Sequence, residues 1–177
     1  MSLKSKLDYT MKTKLIVLVS FIAAIAFSSC KKESENTTLK IRMTDAPTAV
    51  EEVNIDLQSV EAKFDKDTTK WLTLDTHAGI YNLLGLQNGV DSLIAQGTFP
   101  TGILKEIRLI VGPNNSIKVD GQDFPLTIPS GEETGLKIKV NKNLQATIET
   151  LIIDFDAALS IVLEGDGYKL KPVIKLK

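Results

Sequence analysis

The sequence predicts an all-β fold: a single antiparallel β-sandwich, immunoglobulin-like or transthyretin-like in plan, with one short helix. Three observations predict it. Apolar residues recur at every second position in several segments, as in strands that bury one face. Clusters of turn-forming residues separate those segments at short intervals, the spacing of a sandwich or barrel. Helical periodicity is confined to one short stretch.

In chain order, Leu39, Ile41 and Met43 alternate with Lys40 and Arg42. Val53, Ile55 and Leu57 alternate with Asn54 and Asp56, and the phase then slips so that Val60, Ala62 and Phe64 continue the buried face. A one-residue slip inside a strand is the mark of a β-bulge. Val90, Leu93 and Ile94 fall at i, i+3 and i+4 between Gly89 and Gly97, which predicts the helix, with Gly97 as its C-cap. Ile107, Leu109 and Val111 oppose Glu106 and Arg108, and Leu136, Ile138 and Val140 oppose Lys137 and Lys139. Leu151–Phe155 and Leu159–Leu163 are nearly continuous apolar runs, as expected of central strands covered on both faces. Tyr168, Leu170, Pro172, Ile174 and Leu176 alternate with lysines and Val173 in a last strand. Asp45-Ala46-Pro47, Gly112-Pro113-Asn114-Asn115, Asp120-Gly121, Pro129-Ser130-Gly131 and Gly165-Asp166-Gly167 are the expected turns.

Ahead of this β-rich region the chain has another character. Leu15–Phe27 is thirteen residues long and uncharged, too short for the roughly 20 apolar residues of a membrane span. With Lys12 and Lys14 before it, the run has the layout of a secretory signal peptide. Phe27-Ser28-Ser29-Cys30 follows, and Cys30 is the single cysteine among 177 residues. A lone cysteine in an exported chain makes no internal disulfide, and its thiol needs another explanation. The tetrapeptide resembles the lipobox of bacterial lipoproteins, with Phe27 where Leu or Val is usual. Cleavage before Cys30 and acylation of its thiol are therefore expected.

The expected organisation is a signal peptide over residues 1–29, with the true start at Met11. A lipidated cysteine and flexible tether follow over 30–38, and the β-sandwich occupies 39–177. The tether, Lys31-Lys32-Glu33-Ser34-Glu35-Asn36-Thr37-Thr38, is polar and without apolar periodicity. It resembles the charged export tags of surface-displayed lipoproteins. No aspartate follows the cysteine directly, which favours the outer membrane.

The formal charge of −1 conceals a more acidic mature domain. Residues 1–29 carry Lys4, Lys6, Lys12 and Lys14 against Asp8, and without them the net charge is −4. That balance argues against nucleic-acid partners, which call for a basic patch.

Taken in order, several segments resemble one family. They are Met43-Thr44-Asp45-Ala46-Pro47, Leu83-Leu84-Gly85-Leu86, Glu106-Ile107-Arg108-Leu109, Val119-Asp120-Gly121, Ile128-Pro129-Ser130-Gly131, Leu151–Ala157 with Ser160-Ile161-Val162, and Tyr168–Ile174. Together they resemble the bacterial lipoprotein family known as domain of unknown function 4382, over about Leu39 to Leu176. The resemblance implies an exported, lipid-anchored, β-rich domain and implies no activity.

Candidate chemistry is sparse. His77 is the only histidine and lies in a polar stretch, Asp75–Gly79, read as an exposed loop; no hydrolase elbow, phosphate loop or zinc motif is present. Asp154 and Asp156 share one face of their strand, about 7 Å apart. One reading is a calcium site completed by Asp45 or a turn carbonyl, since calcium takes several oxygens at about 2.4 Å. The other makes these acids structural, bonded to turn amides or paired with Arg42 or Arg108. Trp71, the only tryptophan, is out of phase with Leu72 and Leu74 and is the candidate binding platform, for a glycan above all. Lysines 137, 139, 169, 171 and 175 would make a basic face if their strands are neighbours, and otherwise protect exposed strands. The expected function is a non-enzymatic binding, accessory or structural module. Its partners would be the membrane, through the lipid, and a glycan or another envelope protein. The alternative is a glycan-acting accessory hydrolase using paired carboxylates.

Overall fold

A computed structural model of the protein describes residues 36–177 apart from 47–49, 68, 130–133, 146 and 166. The expected signal peptide, Cys30, residues 31–35 of the tether, and parts of the turns at Pro47, Ser130-Gly131 and Asp166 lie outside the described residues.

The strands run β1 (Asn36–Asp45), β2 (Glu52–Phe64), β3 (Leu72–Thr73), β4 (Asp75–Thr76), β5 (Gly79–Asn82), β6 (Ser92–Pro100) and β7 (Gly102–Val111). They continue with β8 (Ser116–Val119), β9 (Gln122–Thr127), β10 (Leu136–Leu144), β11 (Ile148–Phe155), β12 (Ile161–Glu164), β13 (Gly167–Leu170) and β14 (Ile174–Leu176). They form two sheets. The first has the order β14-β11-β1-β6-β4; the second has the order β10-β7-β2-β8-β9-β13-β12, with β3 and β5 also paired to β2. The fold is all-β and sandwich-like, as the alternation requires.

The predicted inward residues meet between the sheets. Leu39, Ile41 and Met43 of β1 and Leu151, Ile153 and Phe155 of β11 come from the first sheet; Val60, Ala62, Ile107, Leu109, Leu136 and Ile138 come from the second. The phase slip in β2 is real. Its pairing with β7 shifts register between Leu57 and Ser59, and Gln58 turns outward, so both halves of this long strand keep an apolar face on the core.

Several expectations are corrected. Pairing is not wholly antiparallel: β1 runs parallel to β11, and β9 to β13. The helix expected around Val90–Ile94 is absent, because Ser92–Pro100 is β6, held between β1 and β4. Ile94 is buried whereas Val90 is half exposed, so the i, i+3, i+4 spacing marks no continuous face. Five residues are also too few to nucleate a helix against sheet pairing. The short helix, α1, is Ala157–Ser160 instead, with 3-10 turns at Asp65–Asp67 and Leu83–Leu86. Within the second long apolar run, Ile161–Glu164 is no central strand: β12 ends its sheet, and Leu163 is 65% exposed.

The C-terminal alternation is present but divided, β13 joining the second sheet and β14 the first. At the other end of the chain, β1 begins at Asn36. Asn36, Thr37 and Thr38, expected in the tether, pair with Pro100, Phe99 and Thr98 of β6.

Candidate functional site

Parallel pairing of β1 and β11 brings Thr44 beside Asp154 and Asp45 beside Phe155. The three candidate calcium ligands therefore gather at one end of these strands, each held differently. Asp45 is buried; its Oδ1 accepts from the Ala157 amide at 2.9 Å and its Oδ2 from Gln87 Nε2 at 3.2 Å. Burial raises its pKa above the usual carboxylate range, opposed by the bonds from Ala157, Gln87 and Ala46 and reinforced by the nearby charge of Asp156. Asp156 immediately precedes α1: its amide donates to Val173 O at 3.0 Å, and its carbonyl accepts from Ser160 Oγ at 2.5 Å.

Asp154 Oδ2 lies 3.4 Å from both Lys175 Nζ and Lys177 Nζ, while Oδ1 is buried with no partner among the described residues. Arg42 and Arg108, the cations expected for these acids, are ion-paired with Asp91 and Glu61. Among the described residues no group of three or more His, Cys, Asp and Glu is arranged to hold a metal.

A fourth buried carboxylate, Asp56, joins Asp45, Asp154 and Asp156 among the described residues and has no counterpart in the sequence reading. Alternation in β2 places Asp56 outward, yet it is only 4% exposed, because the Gly112–Asn115 turn folds over it. Asp56 Oδ2 accepts from the Asn114 amide at 3.2 Å and from Asn114 Nδ2 at 3.0 Å; Oδ1 accepts from Gln58 Nε2 at 2.5 Å. The Asp56 amide donates to Asn115 Oδ1 at 2.9 Å, and its carbonyl accepts from Gly112 N at 2.7 Å. No local pattern signals this hub, since its halves lie 58 residues apart.

Trp71 precedes β3 and is half-buried. Arg108 Cζ lies 4.4 Å and Lys63 Nζ 5.4 Å from its ring centroid, so protein cations already stack on the indole. Lys63 is also paired with Glu106 at 3.7 Å. His77 is exposed, as expected; its Nδ1 lies 3.1 Å from Leu93 O, and its carbonyl accepts from Tyr81 Oη at 2.6 Å. The lysines do not form one face. Lys137 and Lys139 lie on β10 at one end of the second sheet, Lys169 on β13 near its other end, and Lys175 in the first sheet.

Beside Trp71 in sequence, Lys70 and Leu72 help line an apolar cleft of about 120 Å3, whose other walls include Phe64, Lys66, Pro100 and Gly102. Asp65 also lines the cleft and is exposed, its Oδ1 accepting from the Ile103 amide at 3.1 Å. The cleft is smaller than the roughly 300 Å3 at which small-molecule pockets begin. It has room for one apolar group. Among the described residues no helix is long and apolar enough to cross a membrane.

One family model, described as Domain of unknown function (DUF4382), matches residues 36–172. No curated protein and no solved structure matches the chain.

Proposed function

Since this chain belongs to the DUF4382 family, which brings no assigned activity with it, we propose a role from the chain's own features: a non-enzymatic module of the cell envelope, held at the outer membrane through acylated Cys30. The observation that carries this reading is the uncharged run Leu15–Phe27 with the single cysteine three residues beyond it. Acylation explains an otherwise unpaired thiol, and two or more acyl chains provide the stable anchoring that one chain does not.

The arrangement of the acids supports a non-enzymatic role. Asp45 and Asp56 hold internal donors that build the fold, which favours the structural reading of these carboxylates over a catalytic one. The domain then serves by contact with a glycan or another envelope protein. Trp71 is the candidate contact, its indole braced by Arg108.

Replacing Cys30 with serine tests the anchor. The wild type should partition with membranes and incorporate labelled palmitate, and Cys30→Ser should do neither. A serine variant that still takes up label and sediments with membranes overturns the proposal.

A further inference from the structure

On the outer face of the second sheet, cross-strand pairing sets charged side chains in two rows. Lys137 of β10 lies opposite Arg108 of β7, and Arg108 lies opposite Glu61 of β2. In the next row Lys139 lies opposite Glu106, and Glu106 lies opposite Lys63. All six point away from the core, since the residues between them on each strand, Ile138, Ile107 and Ala62, are buried. Two ion pairs use the acids: Glu61 holds Arg108, and Glu106 holds Lys63 at 3.7 Å. Lys137 and Lys139 are exposed and have no acidic partner among the described residues.

Lys137 and Arg108 are thus like charges directly opposite each other, an arrangement that destabilises a sheet. An anion held between them removes that cost. Arg108 can take it without releasing Glu61, because a guanidinium carries five N–H donors and its fork suits carboxylates. Beyond Glu61 and Lys63 the face reaches Trp71, whose half-buried indole has its ring centroid 4.4 Å from Arg108 Cζ. From β10 to β3 is three strand spacings, about 14 Å, so only an extended ligand touches both the lysines and the indole. The C–H faces of a sugar ring pack on an indole, whereas the acidic side chains of a peptide bring no flat face to it. The net charge of −4 on the mature domain repels a polyanion elsewhere and directs it to this face.

We propose that this face binds an acidic polysaccharide, a chain of sugar rings bearing carboxylates. One carboxylate sits between Lys137 and Arg108, Lys139 meets the next, and a ring packs on Trp71. The chain lies across the strands rather than along them. The inference rests on the reading of Trp71 as a glycan contact, and it adds the charge of the ligand and its direction.

The test is titration calorimetry of the full-length protein in uncharged detergent micelles with hexagalacturonate, neutral cellohexaose and hexaglutamate. Hexagalacturonate alone should bind, and molar salt should abolish binding. Lys137→Gln/Lys139→Gln should bind about fivefold more weakly and Trp71→Ala about tenfold, while Lys169→Gln, near the other end of the sheet, binds as wild type. Without ligand, Lys137→Gln/Lys139→Gln should melt no lower than wild type, because it relieves the repulsion with Arg108. A lower melt shows that these lysines already have partners within the chain, such as Glu132 or Glu133 outside the described residues, and overturns the inference. Equal binding of cellohexaose, unaffected by the lysine variant, overturns the acidic ligand and leaves the glycan contact at Trp71 standing. Equal binding of hexaglutamate, unaffected by Trp71→Ala, overturns the glycan in favour of an acidic protein partner. A loss in Lys169→Gln as large as in the β10 variant overturns the face. Binding of none of the three probes overturns the inference together with the glycan contact, and the anchor is judged separately by Cys30→Ser.

Discussion

Gly112→Ala should be among the most damaging single-methyl changes in this domain. Gly112 opens the turn that covers Asp56, and it does not have the positive φ that other turn glycines adopt, so its need is for space. A Cβ there would lie 2.7 Å from Gln58 Nε2 and 2.9 Å from Asp56 Cγ, and closer still to Asp56 Oδ2. Either the turn lifts or the carboxylate moves. Both outcomes weaken the bonds that Asp56 accepts from Asn114 and Gln58. A bond to a charged acceptor contributes about 1.5–3 kcal/mol, and partial loss of two or three gives a cost of about 3 kcal/mol. For a domain of this size that lowers the melting temperature by about 10 °C.

The assay is thermal or urea unfolding of wild type, Gly112→Ala, Asp56→Ala and the double variant. If the clash with Asp56 is the cause, alanine at 112 costs much less once the carboxylate is gone, giving a coupling of about 1–2 kcal/mol. A Gly112→Ala melt within about 1 °C of wild type, or an identical cost in both backgrounds, refutes the reasoning.

Three further predictions concern the acids at the far end of β1. Lys175→Met/Lys177→Met removes both partners of Asp154 Oδ2 and should cost about 1–2 kcal/mol in urea unfolding, because both lysines are solvent-screened while the carboxylate is buried. Each single variant should cost less than half of that, the remaining lysine compensating; strictly additive singles contradict a shared role. For Asp45, a folded pKa above the usual value means that its contribution is present below that value and is lost as pH rises through the folded pKa. The melting temperature of Asp45→Asn relative to wild type should therefore be more favourable at pH 7 than at pH 3.5, and a pH-independent difference would sink this account. Chelation with EDTA should leave the melting temperature unchanged, since no metal-holding group is present among the described residues; a clear drop would restore the calcium reading of Asp45, Asp154 and Asp156.

Much of the fold was legible from local pattern, because alternation in a strand follows directly from the two faces of its pleat. The inward residues of β1, β7 and β10 are those that alternation names, and the slip in β2 marks its bulge to within a residue. Local pattern failed where long-range pairing decided the outcome. Val90–Ile94 carries helical spacing, yet a neighbouring strand on each side makes β6. Ile161–Leu163 reads as core, yet β12 ends its sheet. Asp56 reads as solvent-facing, yet a turn nearly 60 residues away in sequence covers it.

By itself, the sequence determined the class of the fold, the presence of just one cysteine and one histidine, and the expectation of an anchor at Cys30, since each depends on composition or on spacing within a short window. Only the tertiary structure decided which strands run parallel and which lie at edges. It alone brought Asp45 onto the Ala157 amide and Lys175 and Lys177 onto Asp154. It also set Lys137, Arg108 and Glu61 side by side across the second sheet. The physical reason is common to all of these: they depend on which distant segments share hydrogen bonds and buried surface, and that information has no period along the chain.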